Sequence, residues 1–104
     1  MSSSSAQLLA LMTGDLTSST AKLLKEQVDG LLPPAGRTPE PCTVLVLDLR
    51  SARFIDSVGI NLIVVCIRRM KEFQGSVRVL IGNSNLRRVL AFMKVDQHAE
   101  VVLD

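Results

Sequence analysis

Apolar positions along the chain switch repeatedly between short continuous runs and helical spacing. Gln7 to Met12, QLLALM, is a brief apolar run that stops at Thr13-Gly14-Asp15, and its length predicts one strand. Leu16 to Thr20 then offers several hydroxyls as helix caps. After them Ala21, Leu24, Val28 and Leu31 recur three and four apart, predicting an amphipathic helix to about Leu32. Pro33, Pro34, Pro39 and Pro41 cannot continue it, because each removes a donor and fixes φ, so a long surface loop is predicted there. Thr43 to Leu49, TVLVLDL, is β-branched and almost wholly apolar, as expected of a central strand covered on both faces. From Ser57 the residues Ile60, Ile63, Val64, Ile67 and Met70 follow helical spacing to Phe73, with Gly75 placed as the stop. Leu62, Val65 and Cys66 widen that stripe and predict a mostly buried first half. Val77 to Ile81 predicts another short strand. Gly82 to Asn85 reads as a turn capping a helix with Leu86, Val89, Leu90 and Met93 on one face, and Glu100 to Leu103 as a short edge strand.

Strand and helix alternate throughout, which predicts an α/β domain: a small sheet of about four largely parallel strands, three helices and right-handed crossovers. In such sheets the loops at the carboxyl ends of the strands share one edge, where function usually sits. Three loops are expected there: Gly14 to Ser19, Arg50 to Gly59 and Gly82 to Asn85. The 104 residues make a single domain, 1–104, with residues 1–6 expected to fray.

Composition narrows the function. Apolar residues make up 47% and aromatics 3%, so stacking on bases is hardly available. The net charge of +2 is spread among interleaved acids, which argues against nucleic-acid binding. Cys42 and Cys66 show no metal-ligand spacing, and Cys66 lies in an apolar helical run, so buried free thiols and a reduced cytoplasmic location are expected. The first residues lack a basic n-region, and Leu62 to Ile67 is too short to span a bilayer; neither a signal peptide nor membrane insertion is expected.

FIDSVG, residues 54 to 59, holds the chemistry of interest. Asp56 is a natural N-cap, leaving Ser57 in the first helical turn with its hydroxyl outward. That arrangement fits a plain helix start; it equally fits a phosphoacceptor, since a phosphate there meets unsatisfied backbone donors and the positive end of the helix dipole. Gly59 costs roughly 1 kcal/mol relative to Ala in a helix, which implies close approach of another backbone, of a partner, or of a neighbouring strand. Ser57, Asp96 and His98 follow the chain order of one serine-hydrolase class, but Ile55 stands where the nucleophile elbow needs its first glycine. An aspartyl-phosphate receiver would use Asp48, yet only Asp15 could accompany it. Neither standard phosphate loop occurs.

The segment VLVLDLRSARFIDSVGINLIV resembles the central motif of STAS domains, and in particular of anti-sigma factor antagonists of bacterial partner-switching systems. Asp48, Leu49, Phe54, Ile55, Asp56, Ser57 and Gly59 carry the likeness, with Gly14-Asp15-Leu16, Val77 to Gly82 and Leu86 to Val95 in corresponding places. The resemblance implies a non-enzymatic cytoplasmic switch without cofactor or metal. Ser57 would be phosphorylated by a serine-kinase anti-sigma factor that binds the unphosphorylated form, and a serine phosphatase of the PP2C type would reset it. Asp15, Thr17, Asp56, Ser57, Val58, Gly59 and Asn83 would form the docking surface. The other role the family suggests is a scaffold subunit of a membrane transporter or lipid-transport complex, never modified at Ser57. Three departures are expected: little of the family's opening strand, Thr17 in place of an acid, and no closing helix. A sheet shortened in this way would expose an edge or apolar face, open to self-association or to a larger complex.

Overall fold

A computed structural model describes residues 7–32 and 43–104, in the order β1 (Gln7–Leu11), α1 (Ala21–Leu31), β2 (Val44–Leu49), α2 (Ser57–Glu72), β3 (Ser76–Ile81), α3 (Ser84–Phe92), a short 3-10 turn (Val95–Gln97) and β4 (Glu100–Leu103). The expected tail at residues 1–6, the proline-rich loop and Cys42 lie outside the described residues. All four strands pair in parallel and in chain order, β1-β2-β3-β4, with Leu8 beside Leu45, Leu45 beside Val77, and Val79 beside Val101. Right-handed crossovers that always step the same way put the three helices on one face of the sheet.

Strand alternation assigns the faces. Ala10, Leu45, Leu47, Leu49, Val77, Val79 and Ile81 point under the helices and are buried, where they meet Leu24 and Val28 of α1, Ile63, Cys66 and Met70 of α2, and Leu86 and Leu90 of α3. Each fully buried Leu or Ile among these stabilises the fold by about 1.5–3 kcal/mol relative to an exposed position. Burial pushes the Cys66 thiol up to about 11, so it is a packed, protonated side chain. The opposite face carries Leu9, Leu11, Val44, Val46, Asp48, Leu80 and Val102. Asp48 is nearly buried there because Arg50 folds over it, with Nε to Oδ1 at 3.0 Å and Nη2 to Oδ2 at 2.8 Å. That guanidinium holds the Asp48 carboxyl below the usual carboxylate range.

Four local expectations need correction. No side chain caps α1 at Thr20; the Thr20 hydroxyl instead turns back to the Asp15 carbonyl at 2.6 Å and the Thr17 amide at 2.9 Å, tightening the turn before the helix. Gln74, at φ 59°, is the left-handed residue that ends α2, rather than Gly75. Gly75 answers a different constraint: a Cβ there would lie 2.6 Å from the Thr43 carbonyl, so the close passage of the chain into β2 demands glycine. Val65 is exposed on α2, Val89 on α3 and Met93 at the C-cap of α3, because each helix buries a narrower stripe than its apolar pattern offered.

Gly59 resolves the alternatives left by the sequence. It is buried in the first turn of α2, and a Cβ on it would meet the Leu16 carbonyl at 2.7 Å, the Leu16 side chain at 2.8 Å and Ile55 at 2.9 Å. The close approach is therefore within the chain. Gly59→Ala gains the helical preference of alanine, roughly 1 kcal/mol, but forces the Leu16 backbone aside at an overpacking cost of about 1–3 kcal/mol. The expected outcome is a lower melting temperature by circular dichroism; a melting temperature equal to or above that of the wild type would contradict this account of the glycine.

Candidate functional site

The carboxyl ends of the strands bring the three expected loops together, and side chains from each loop fasten the next. Leu16 and Ile55 form a parallel bridge beyond β1 and β2, with the Leu16 amide donating to the Phe54 carbonyl at 3.1 Å and the Asp56 amide to the Leu16 carbonyl at 3.1 Å. Two carboxylates reinforce it in opposite directions. Asp15, in the first loop, accepts the Arg53 and Phe54 amides of the second at 2.8 and 3.2 Å. Asp56, in the second loop, accepts the Ser18 amide of the first at 2.8 Å through Oδ2. Asn83 ties in the third loop, donating from Nδ2 to the Ala52 carbonyl at 3.3 Å while its Oδ1 accepts the Leu86 amide at 2.9 Å and caps α3.

Asp56 caps α2 as the sequence indicates, Oδ1 accepting the Gly59 amide at 2.9 Å. The backbone donors of Gly59 first, and Ser18 next, hold its carboxyl below the ordinary range, so it stays ionised. Ser57 is the next residue. It is exposed at the open end of α2, flanked by exposed Phe54 and Val58. The edge thus joins a free hydroxyl, two apolar side chains and a fixed negative charge on a backbone locked by hydrogen bonds. Of the residues expected to form the surface, Ser57, Val58 and Asp15 are exposed, Thr17, Asp56 and Asn83 are partly covered, and Gly59 lies beneath them. Asp56 and Asn83 spend their polar atoms on loop geometry, as does Oδ1 of Asp15, so they shape the surface; Ser57 and Val58 are open to contact. Phe54 belongs with these two. Its exposure was not legible, because the sequence presents Phe54-Ile55 as an apolar pair and only the Leu16 bridge decides which of the two turns inward.

The hydrolase arrangement is not assembled. Asp96 and His98 line a groove with Val44 and Ser76 at the amino ends of the strands, and His98 Nδ1 lies 3.2 Å from Lys71 Nζ in the last turn of α2. Ser57 opens that same helix, roughly 20 Å away at 1.5 Å per residue. Asp48 is committed to Arg50 and Asp15 to backbone amides, so the receiver arrangement is not built either.

A family model for the STAS domain matches residues 6–103. The chain belongs to the STAS domain family. No individual curated protein matches it. The parallel sheet with three helices agrees with that membership, and the central helix of this STAS domain starts at the Asp56-Ser57 pair. No helix among the described residues is long and apolar enough to cross a membrane.

Asp56 stabilises the fold by accepting donors while ionised. A carboxyl with a depressed folded pKa contributes stability that is present above the unfolded value, near 3.9, and is lost as pH falls through the folded value. Asp56→Ala is therefore expected to melt below the wild type at pH 7, with the gap narrowing as the pH drops below about 4. Asp56→Asn, which retains an acceptor oxygen, should fall between them. Equal melting of wild type and Asp56→Ala at pH 7 would show that the cap and the Ser18 link contribute nothing.

Proposed function

We propose that this STAS domain is an anti-sigma factor antagonist of a partner-switching system. Unphosphorylated, it binds a serine-kinase anti-sigma factor through the edge formed by Phe54, Ser57 and Val58, so that the kinase releases its other client. The kinase transfers a phosphoryl group from ATP to Ser57 Oγ, the modified form leaves, and a PP2C-type serine phosphatase restores the hydroxyl. The observation that carries this proposal is the position of Ser57: exposed in the first turn of α2, beside an ionised Asp56, in the middle of a surface held rigid by three tied loops.

The physical logic follows from charge. The helix terminus tolerates phosphate, since backbone donors and the helix dipole favour an anion there. A partner packed over Phe54 and Val58 would instead have to accommodate a charge of roughly −1.5 to −2 with its hydration shell, next to the Asp56 carboxylate. Burying such a group against an unprepared surface costs several kcal/mol, and each 1.4 kcal/mol lowers affinity about tenfold. Recognition and release thus use one atom position.

Phosphopeptide mass spectrometry on protein from its native cell, together with pull-downs of Ser57→Ala and Ser57→Asp, tests the proposal. Ser57 should be found phosphorylated, Ser57→Ala should retain the kinase, and Ser57→Asp should weaken it by about ten- to a hundredfold. A Ser57 that is always unmodified, with every partner retained by Ser57→Asp, would favour a scaffold subunit of a transport complex.

A further inference from the structure

The outer edge of β1 is built to accept a strand. Met12 donates to the Asp48 carbonyl, so the even positions of β1 turn their backbone groups to β2 and the odd positions, Gln7, Leu9 and Leu11, turn theirs outward. At Leu11 a side chain stands in for the absent neighbour: the Gln27 amide of α1 accepts the Leu11 N–H at 3.0 Å and donates to the Leu11 carbonyl at 2.6 Å. Among the described residues nothing performs that service for Leu9. Strand edges in soluble proteins are ordinarily blunted by charge, proline or a bulge. QLLAL has none of these.

The side chains around the edge are equally unguarded. Leu9 is 58% and Leu11 47% exposed on the open face of the sheet, and Leu23 is 57% exposed on the flank of α1 that also presents Gln27. Lys22 and Glu26 lie around the helix from that flank, and Lys25 and Asp29 pair on the side facing Arg69 of α2. Among the described residues the side chains on this strip, Gln7, Leu9, Leu11, Leu23 and Gln27, carry no charge, and electrostatics would neither steer an unlike partner to it nor repel a like one. Unmet hydrogen-bonding groups with apolar neighbours specify an extended, uncharged strand, and the β1 edge of a second copy is such a strand.

We propose that this protein forms a two-fold dimer by antiparallel pairing of β1 with β1 of a second copy, centred on Leu9. The two Leu9 residues exchange both their N–H and C=O bonds, Leu11 lies opposite Gln7 of the other copy, and the two four-stranded sheets become one. Because the axis is perpendicular to the sheet, the helices of both copies share one face. The exposed Leu23 flank then meets its counterpart, while Leu9 and Leu11 form an apolar row on the other face. Pairing beyond Leu9 requires the Gln27 amide to swing from Leu11, so Gln27 fixes the register and limits the strength of the pair. The Ser57 edge stays open in both copies, since it lies at the carboxyl ends of the strands.

The full chain, tagged only at its carboxyl end, tests this. At about 100 µM, light scattering coupled to size exclusion should give roughly twice the 11.3 kDa chain mass. Amide exchange should show protection of Leu9 that grows with protein concentration. Leu9→Lys should restore the single-chain mass; its folding is checked by circular dichroism, and the wild-type exchange experiment stands without it. Phe92→Ser, on the exposed end of α3, should leave the dimer intact. A single-chain mass at every concentration overturns the proposal, as does a dimer that resists Leu9→Lys or leaves the Leu9 amide unprotected.

Discussion

The joining of two loops is the constraint on which the rest of this molecule depends. A parallel sheet ends, at its carboxyl side, in chain segments that diverge toward different helices, and nothing in strand pairing alone holds them together. Here the Leu16–Ile55 bridge extends the sheet by one step, and Asp15 and Asp56 exchange hydrogen bonds across it. Gly59 lets α2 begin directly under the Leu16 carbonyl. These contacts place Ser57 on a platform tied by hydrogen bonds, so that the entropy cost of ordering it is met during folding.

Much of this order was legible in the residues, for identifiable reasons. The strands, the helices and their sequence could be read because period-2 and period-3.6 burial leave direct marks on Leu45, Leu47, Leu24 and Val28. Asp56 as a cap was visible because its partner is three residues away. Its second bond, to Ser18, was hidden because the partner is distant in sequence and is a backbone amide, which every residue has. Gln27 gave no sign of covering a strand edge for the same reason. The misreadings at Val65, Val89 and Met93 share one cause: apolar character marks what may be buried, whereas the number of layers decides what is, and helices on a single face need only one stripe. Gly75 was correctly expected to matter but for the wrong reason, since the contact with Thr43 depends on tertiary approach and the helix stop on Gln74.

In the proposed switch Asp56 would link stability to signalling. Its carboxylate must be ionised to hold both Gly59 and Ser18, and the same negative charge lies next to the hydroxyl that would be modified. A neutral cap would fasten the loops less firmly and would also repel a phosphate less. Under the proposed function the fold would thus keep an acid where a partner's tolerance for added charge is lowest, without a separate device for release.

The single-faced layout has a consequence at the opposite corner of the sheet. Crossovers that step in one direction spare the chain any reversal, but among the described residues they leave one sheet face without helices and two strand edges without neighbours. At β4 the problem is small, because the strand has four residues and opens on a charged one, Glu100. At β1 the guard among the described residues is one glutamine amide, which covers one residue of the five. A side-chain amide mimics a neighbouring strand well enough to satisfy Leu11 but is attached by a flexible stem, so a true strand, with its donors fixed in register, competes with it on favourable terms. The architecture that gathers the functional loops at one edge thus also generates the surface through which two copies would join, and the geometry keeps the two surfaces apart.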